Sequence, residues 1–393
     1  MFFFIISLMI LGDVVWCFTA LSLQRRWVRW CVATFGALQL LGLIAMIISR
    51  KGSPLDELIP RWVYSTIIAW HLVIVLPWLL WRFTKALAMQ AFRLFRKRPP
   101  TVPPDTAEVE MSRRDFIAAA AALTPPMLAF GAAAIGEAQL DSFRVRRLTV
   151  QVSGLPPMLD GMTIAHLSDF HVGRFTRGRV LERIVEETNQ LDADMIALTG
   201  DFINHSLRDL PAAIEIIRAL RARHVIAGCE GNHDLIEDPR TFRREAEQGG
   251  MPLLIGDTAS VTIRGQRVQL LGIPWSHGLS AMRRDIGALS TRRDSSAFQL
   301  LLAHHPHAWD LAEGIPLTLS GHTHGGQLMI NERLGAGPML FRYWSGLYTR
   351  PGSSLVVSNG VGNWFPVRIQ APAEILHLTL RSPISIAVSL PTR

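Results

Sequence analysis

Leu317-Thr318-Leu319-Ser320-Gly321-His322-Thr323-His324-Gly325-Gly326-Gln327 runs from a short apolar stretch directly into two histidines set among three glycines. An apolar run of this length closed by glycine reads as a buried strand. The glycines let the backbone turn tightly where a side chain would obstruct it, so the histidines sit at the carboxyl end of that strand. Four upstream clusters repeat the arrangement. Asp169-Phe170-His171 follows Thr163 to Leu167, and Gly200-Asp201 follows Met195 to Leu198. Gly231-Asn232-His233-Asp234 follows Val225 to Ala227, and His304-His305-Pro306 follows Gln299 to Ala303. Further strands are expected at Leu148 to Val152, Gln269 to Leu271, Leu355 to Val357 and Ile375 to Thr379. Amphipathic helices are expected at Arg179 to Gln190, Pro211 to Ala222 and Arg240 to Gln248. Residues 141–393 therefore read as an α/β domain, and such domains place their sites beyond the carboxyl ends of strands. One such cluster is weak, because a histidine near a strand end is more often a hydrogen-bonded core residue than a ligand. Five in series, supplying carboxylates, imidazoles and an amide, point to a metal centre.

Ahead of this domain the chain changes character. The 393 residues are 49% hydrophobic and 18% charged, with mean hydropathy +0.23, too apolar for a disordered chain. A hydrocarbon core about 30 Å thick takes roughly 20 apolar residues of helix. Four such runs occur, at Phe2 to Leu23, Trp30 to Ile48, Trp62 to Trp81 and Phe116 to Ile135. The formal net charge of +8 belongs to this region: residues 1–115 hold 14 Lys/Arg against 7 Asp/Glu, leaving 26 against 25. A basic groove tracking phosphates is thus not indicated, and no nucleic-acid partner is expected. Three cysteines, Cys17, Cys31 and Cys229, give no disulfide framework.

Arg25, Arg26 and Arg29 mark one basic loop, and Arg82, Lys85, Arg93, Arg96, Lys97 and Arg98 mark another. By the positive-inside rule both are cytoplasmic, so a fourth span carries the C-terminal domain to the outer side. The expected organisation is three transmembrane helices (1–98), a Pro-rich cytoplasmic linker (99–111), a fourth helix (112–140) and the α/β domain (141–393). Ser112-Arg113-Arg114-Asp115-Phe116-Ile117 resembles a twin-arginine export signal. That resemblance implies a bacterial inner membrane with the domain on the periplasmic side. Asp13 and His71 fall inside spans and are expected to hydrogen-bond each other or the backbone.

With the five clusters in view, residues Leu148 to Leu380 resemble the calcineurin-like metallophosphoesterase superfamily. GNHD at 231–234 and the absence of Arg-Gly after Asp201 separate the sequence from the protein phosphatase branch. GHTHGGQ at 321–327, Ser358-Asn359-Gly360-Val361-Gly362 and Pro372-Ala373-Glu374-Ile375 are similar to a bacterial, membrane-linked branch. The fold implied is a four-layer α/β/β/α sandwich with two mixed sheets, preceded by an all-α transmembrane region. The resemblance implies two divalent metals, of Mn, Fe or Zn type. Asp169, His171 and His324 would hold one, Asn232, His304 and His322 the other, and Asp201 would bridge them. His233 takes the family's general-acid position, and an imidazole suits it because its ordinary pKa is near 6.5. Asp234 reads as structural, and His305 as a neighbour of a ligand facing away by strand alternation. The implied reaction is hydrolysis of a phosphate ester, a diester or pyrophosphate in preference to a monoester. A membrane tether points to a lipid-linked phosphate and a membrane-surface partner. Phe341, Tyr343, Trp344, Leu347 and Tyr348 are weighed as a headgroup-level belt against an ordinary packed loop. The alternatives are a phosphomonoesterase and a catalytically silent interaction module of the same fold.

Overall fold

The computed structural model describes residues 2–21, 26–49, 59–95 and 113–383. The chain divides into two compact units, Met1–Ala138 and Gln139–Arg393. The expected linker at 99–111, the basic residues Arg25, Arg96, Lys97 and Arg98, and Ser112 of the twin-arginine-like motif lie outside the described residues.

The first unit is helical: Phe2–Leu21, Arg26–Ser49, a rod running from Arg61 to Phe95, and Arg113–Gln139. Stretches Arg26–Ile48, Arg61–Phe92 and Phe116–Gln139 are long and apolar enough to cross a membrane, and Ile5–Thr19 is a shorter apolar helix. Their outward faces carry Trp30, Leu38, Leu41 and Leu80, all more than half exposed, as suits a hydrocarbon solvent. Inside, Trp16, Val28, Val32, Trp70, Val75, Ala122 and Ala129 pack together. The third rod is π-helical over Ala69–Val75. That wider turn carries both Trp70 and His71 to one buried acid: Asp13 accepts from Trp70 Nε1 at 2.7 Å and meets His71 Nε2 at 2.9 Å, while His71 Nδ1 donates to the Ile67 carbonyl. The pairing expected of Asp13 and His71 is therefore present. Pro125 and Pro126 are accommodated inside the last helix.

The second unit is built on two sheets. One runs β1(Phe143–Gln151), β13(Ala373–Arg381), β2(Thr163–Leu167), β3(Met195–Thr199), β4(Val225–Cys229). The other runs β11(Gly346–Arg350), β12(Ser353–Val357), β8(Leu317–Ser320), β7(Phe298–Leu302), β6(Gln266–Gly272), β5(Asp257–Ile263). Both are mixed: β13 is parallel to β1 and antiparallel to β2, and β12 is parallel to β8 and antiparallel to β11. Strand alternation explains the layers. On β3, Met195 and Ala197 face the core between the sheets, where Leu300, Leu319 and Leu378 also lie; Ile196 and Leu198 face helices Arg179–Gln190, Leu210–Ala219 and Pro239–Gln248. On β7, Leu300 and Leu302 join the inner core, while Leu301 packs on Leu279–Ser290 and Ala308–Leu311. The result is the four-layer α/β/β/α sandwich.

Several expectations need correction. β1 begins at Phe143, five residues before the expected start, because Arg144 and Arg146 pair with the buried Glu374 on β13. The charges that masked a strand thus serve its register. Helix Leu279–Ser290 and strand β5 were not anticipated, being half-polar in sequence. His304 and His305 lie past the end of β7, so strand alternation does not govern them.

Candidate metal centre

The loops leaving β2, β3, β4, β7 and β8 converge, and backbone hydrogen bonds weave them together. Asp169 N donates to the Gly200 carbonyl, His171 N to Asp201, and Gly321 N to His304. The local conformations are unusual. Asp169, His171, Asp201, His322 and His324 all have φ between +46° and +74°, a region sparsely visited by residues with a Cβ. Their coincidence at one place marks strain held by the surrounding structure, as functional sites commonly do. Glycine is required between them. A Cβ on Gly321 would meet Ser168 Oγ at 1.8 Å and Asp169 Oδ2 at 2.2 Å, and one on Gly231 would meet Asp201 Oδ1 at 2.2 Å.

Side chains complete a continuous buried array. His171 Nε2 and His324 Nε2 face each other at 3.0 Å, with Asp169 Oδ1 3.2 Å from His324. His304 Nε2 lies 3.3 Å from His322 Nδ1 and 3.2 Å from Asn232 Oδ1. Between the groups stands Asp201, whose Oδ2 is 3.4 Å from His171 Nε2 and 3.2 Å from His304 Nε2. Three sets of ligand atoms each fall within 4.8 Å: Asp169, His171 and His324; His171, Asp201 and His233; and Asp201, His304 and His322. All seven residues singled out as ligands, with His233, are therefore brought together, and the Asp201 carboxylate approaches imidazole nitrogens of both groups.

This donor set fits divalent metals. Buried nitrogens facing nitrogens at about 3 Å cannot all be hydrogen-bonded to one another, and a cation between them resolves the conflict. The His304 ring is oriented by Nδ1, which donates to the Thr199 carbonyl and turns Nε2 towards Asp201, Asn232 and His322. The electrostatics agree. Burial opposes ionisation of Asp169, but His324, His171 and His304 outweigh it and hold its carboxyl well below the usual range. Asp201 is likewise lowered, against burial, by His304 first and then His233. Burial pulls His304 down, yet the Asp201 charge and hydrogen bond raise it to about 9. Burial pushes His171, His322 and His324 below the ordinary histidine value, towards the neutral form that ligates metal.

His233 sits at the rim. Its N–H donates to Asp201 Oδ1, its Nδ1 is bonded to the Asn204 carbonyl, and its ring stands edge-on to His171. Nε2 is left as its available nitrogen. Asp234 turns inward and accepts from the N–H groups of Gly231, Asp201, Phe202 and Ile203, the structural role expected of it. His305 does not face away: its ring lies 4.8 Å from both His307 and His322.

Three contributors went unnoticed in the sequence. Arg368 is buried and donates to His324 Nδ1 at 2.9 Å, to the carbonyls of Asn359, Gly362 and Ala371, and to Asn363 Oδ1. It holds the His324 ring with Nε2 towards Asp169. Trp275 packs its ring against His304, His305 and His322. Its backbone N–H is anchored on Glu230, a buried acid gripped by Arg243. The conspicuous signal would have been charge in apolar context: Glu230 after Cys229, and Arg368 after Val367.

Residues 162–326 match the family model of the calcineurin-like phosphoesterases. The second unit belongs to the calcineurin-like metallophosphoesterase superfamily. Among relatives, the chain is similar to an uncharacterized metallophosphoesterase of Helicobacter pylori, 31% identical over 233 residues, covering 56% of this chain and 60% of that protein. It is also similar to a transmembrane protein with metallophosphoesterase domain of Danio rerio, 28% identical over 259 residues, covering 61% of this chain and 57% of that one. The chain thus spans about 60% of the length of these curated relatives. A solved structure of an archaeal phosphodiesterase is 16% identical, covering 51% of this chain and 85% of its own, with TM-score 0.27. The family is one of phosphoester hydrolases, the converging donors of the second unit are candidate metal ligands, and three helices of the first unit are long and apolar enough to cross a membrane.

Proposed function

We propose that the protein is a membrane-anchored phosphoesterase with two divalent metals, hydrolysing a phosphodiester or pyrophosphate bond in a lipid-linked substrate. The observation that carries this reading is the position of Asp201, one carboxylate oxygen within 3.4 Å of His171 and 3.2 Å of His304. Asp169, His171 and His324 would hold one metal, and Asn232, His304 and His322 the other. When bound, such a pair supplies Lewis acidity, drawing charge from the phosphoryl oxygens and acidifying water.

The remaining work falls to the chain's own groups. Hydrolysis joins a water oxygen to phosphorus and breaks the P–O ester bond, and the departing oxygen needs a proton. His233 is assigned that donation: Asn204 fixes the ring through Nδ1, leaving Nε2 for the leaving group. Burial pushes its pKa down, while the neighbouring Asp201 pulls it up.

The basic loops and the Arg113-Arg114 pair support an outward-facing catalytic unit at the bacterial inner membrane. Whole protein in detergent, loaded with Mn²⁺ and given bis(p-nitrophenyl) phosphate, tests the reading beside Asp201→Asn. Metal-dependent turnover with two metals per chain, both lost on Asp201→Asn, is expected. Turnover of p-nitrophenyl phosphate alone would make it a monoesterase. A folded, metal-free and inactive protein would make it an interaction module.

A further inference from the structure

Large apolar side chains exposed by the described second unit are unevenly spread. Met158, Ile236 and Leu279 are isolated along the chain, but Ile330, Leu334, Met339 and Leu340 are 73%, 53%, 81% and 72% exposed within one short excursion. That excursion comprises the small hairpin β9(Met329–Asn331) and β10(Leu334–Gly335) and the helix Ala336–Leu340. It leaves the site directly after His324 and the turn at Gly325 and Gly326.

Its base is firmly seated. Met329 N donates to the Ile369 carbonyl and Ile369 N to the Gln327 carbonyl, each within 2.9 Å. Gly326 and Gly337 approach so closely that a Cβ on Gly326 would lie 2.3 Å from Gly337 Cα. The exposed apolar tip is therefore held out by a packed base and is not a frayed end. The base also borders the metal ligands: the Phe341 ring lies 6.1 Å from that of His322. The half-exposed Trp364 ring lies 6.0 Å from His233 and 6.3 Å from His324. By contrast Tyr343, one of the aromatic residues weighed as a headgroup belt, is buried and bonded to Asp310. Leu347 of that stretch is 38% exposed, while the larger apolar display lies in the lobe that ends at Phe341.

We propose that the lobe of residues 328–341 enters the headgroup region of a lipid bilayer and delivers the phosphoester of a membrane lipid to the metal centre. Two further observations favour a bilayer as the occupant. Exposed Arg333 lies within the lobe beside its single acid, Glu332, and exposed Arg342, which also pairs with Asp310 at 3.4 Å, follows directly after it; insertion of an apolar tip of balanced charge with an arginine at its edge suits a headgroup layer. The chain also carries helices long enough to span a membrane, and only residues 140–142 separate the last of them from β1. The substrate half of the proposal rests on the phosphoesterase reading above, whereas bilayer contact does not.

The test uses the full chain in nanodiscs of anionic phospholipid, with Cys17 and Cys31 replaced by Ala. A bimane label is placed at Leu340→Cys or, as reference, at Arg244→Cys on the exposed face of helix Pro239–Gln248. With headgroup-proximal spin-labelled lipid, quenching of the Leu340 label by at least twofold and none at the reference is expected. Absence of quenching at Leu340, which a lobe covered by a second copy or another protein would also give, overturns the proposal. The variant Ile330→Ser/Leu334→Ser/Met339→Gln/Leu340→Gln is then assayed on a vesicle-embedded phospholipid and on bis(p-nitrophenyl) phosphate. A tenfold or larger loss on the lipid alone supports delivery, and equal loss on both overturns it. Quenching in a protein that hydrolyses neither substrate would retire the phosphodiesterase reading and leave bilayer contact standing.

Discussion

Replacing Arg368 with lysine perturbs the metal centre from behind. Arg368 makes five hydrogen bonds from a buried position, reaching His324, Asn363 and three carbonyls on different sides of its planar head. Burial lowers its pKa to about 10, against the pull of Asp169 and Glu374, so it remains charged at neutral pH. An ammonium offers three donors from one point, which leaves at least two of the five acceptors without a partner. Each buried orphan costs about 1–3 kcal/mol, so the loss is about 2–6 kcal/mol. That is a large share of the roughly 5–15 kcal/mol by which a domain is stable. At about 3 °C per kcal/mol for a unit of this size, Tm of the second unit falls by about 6–18 °C. The loosened ring belongs to the Asp169, His171 and His324 group, while His304, His322 and Asn232 keep their supports. Metal content should therefore drop towards one ion per chain before stability is lost. Thermal unfolding by near-ultraviolet circular dichroism, with metal counted by plasma mass spectrometry, measures both. A Tm within 2 °C of the parent with unchanged metal content would refute the assignment of Arg368 as the residue that positions His324.

His166 is fully buried and neutral, its pKa lowered by burial to about 3. Its folded value lies below the unfolded 6.5, so its contribution is complete above pH 6.5 and is lost as pH falls towards 3, by about 1.4 kcal/mol per pH unit. Urea unfolding at pH 7, 6, 5 and 4 should show this slope, flattened by that amount in His166→Gln; equal slopes would disprove it. Gly321→Ala forces a methyl onto Ser168 and Asp169; overpacking of this kind costs about 1–3 kcal/mol, and metal titration should show weakened binding at the Asp169 group with the other half retained. Arg113→Lys/Arg114→Lys should leave the second unit on the cytoplasmic side, read by protease accessibility in spheroplasts; unchanged accessibility would remove the twin-arginine reading. Asp13→Ala leaves His71 Nε2 and Trp70 Nε1 unpaired inside the first unit, and a fall in detergent-solubilised Tm of about 5 °C or more is expected at about 1–3 kcal/mol per lost partner; an unchanged Tm would show that the pair is dispensable.

The candidate ligand residues, and their convergence, were legible in one dimension because metal chemistry restricts residue type and α/β sheets restrict place. Aspartates, histidines and an asparagine after apolar runs announce a site wherever the strands are later laid side by side. The doubly buried alternation of strands such as β3, and the apolar helices of the first unit, are local properties of the chain and were equally readable. What the tertiary structure alone decided is how distant segments complete one another. Asp169 receives the N–H of His322, 153 residues away, and Arg368 reaches back 44 residues to His324. The start of β1 depends on Arg144 meeting Glu374, 230 residues on. His305 turned towards the centre because the strand had already ended, so the alternation that would have sent it outward no longer applied. The lobe at 328–341 was equally hidden, since apolar residues in sequence promise burial. Only the folded chain shows which of them were left facing solvent, and that they stand beside the metal ligands.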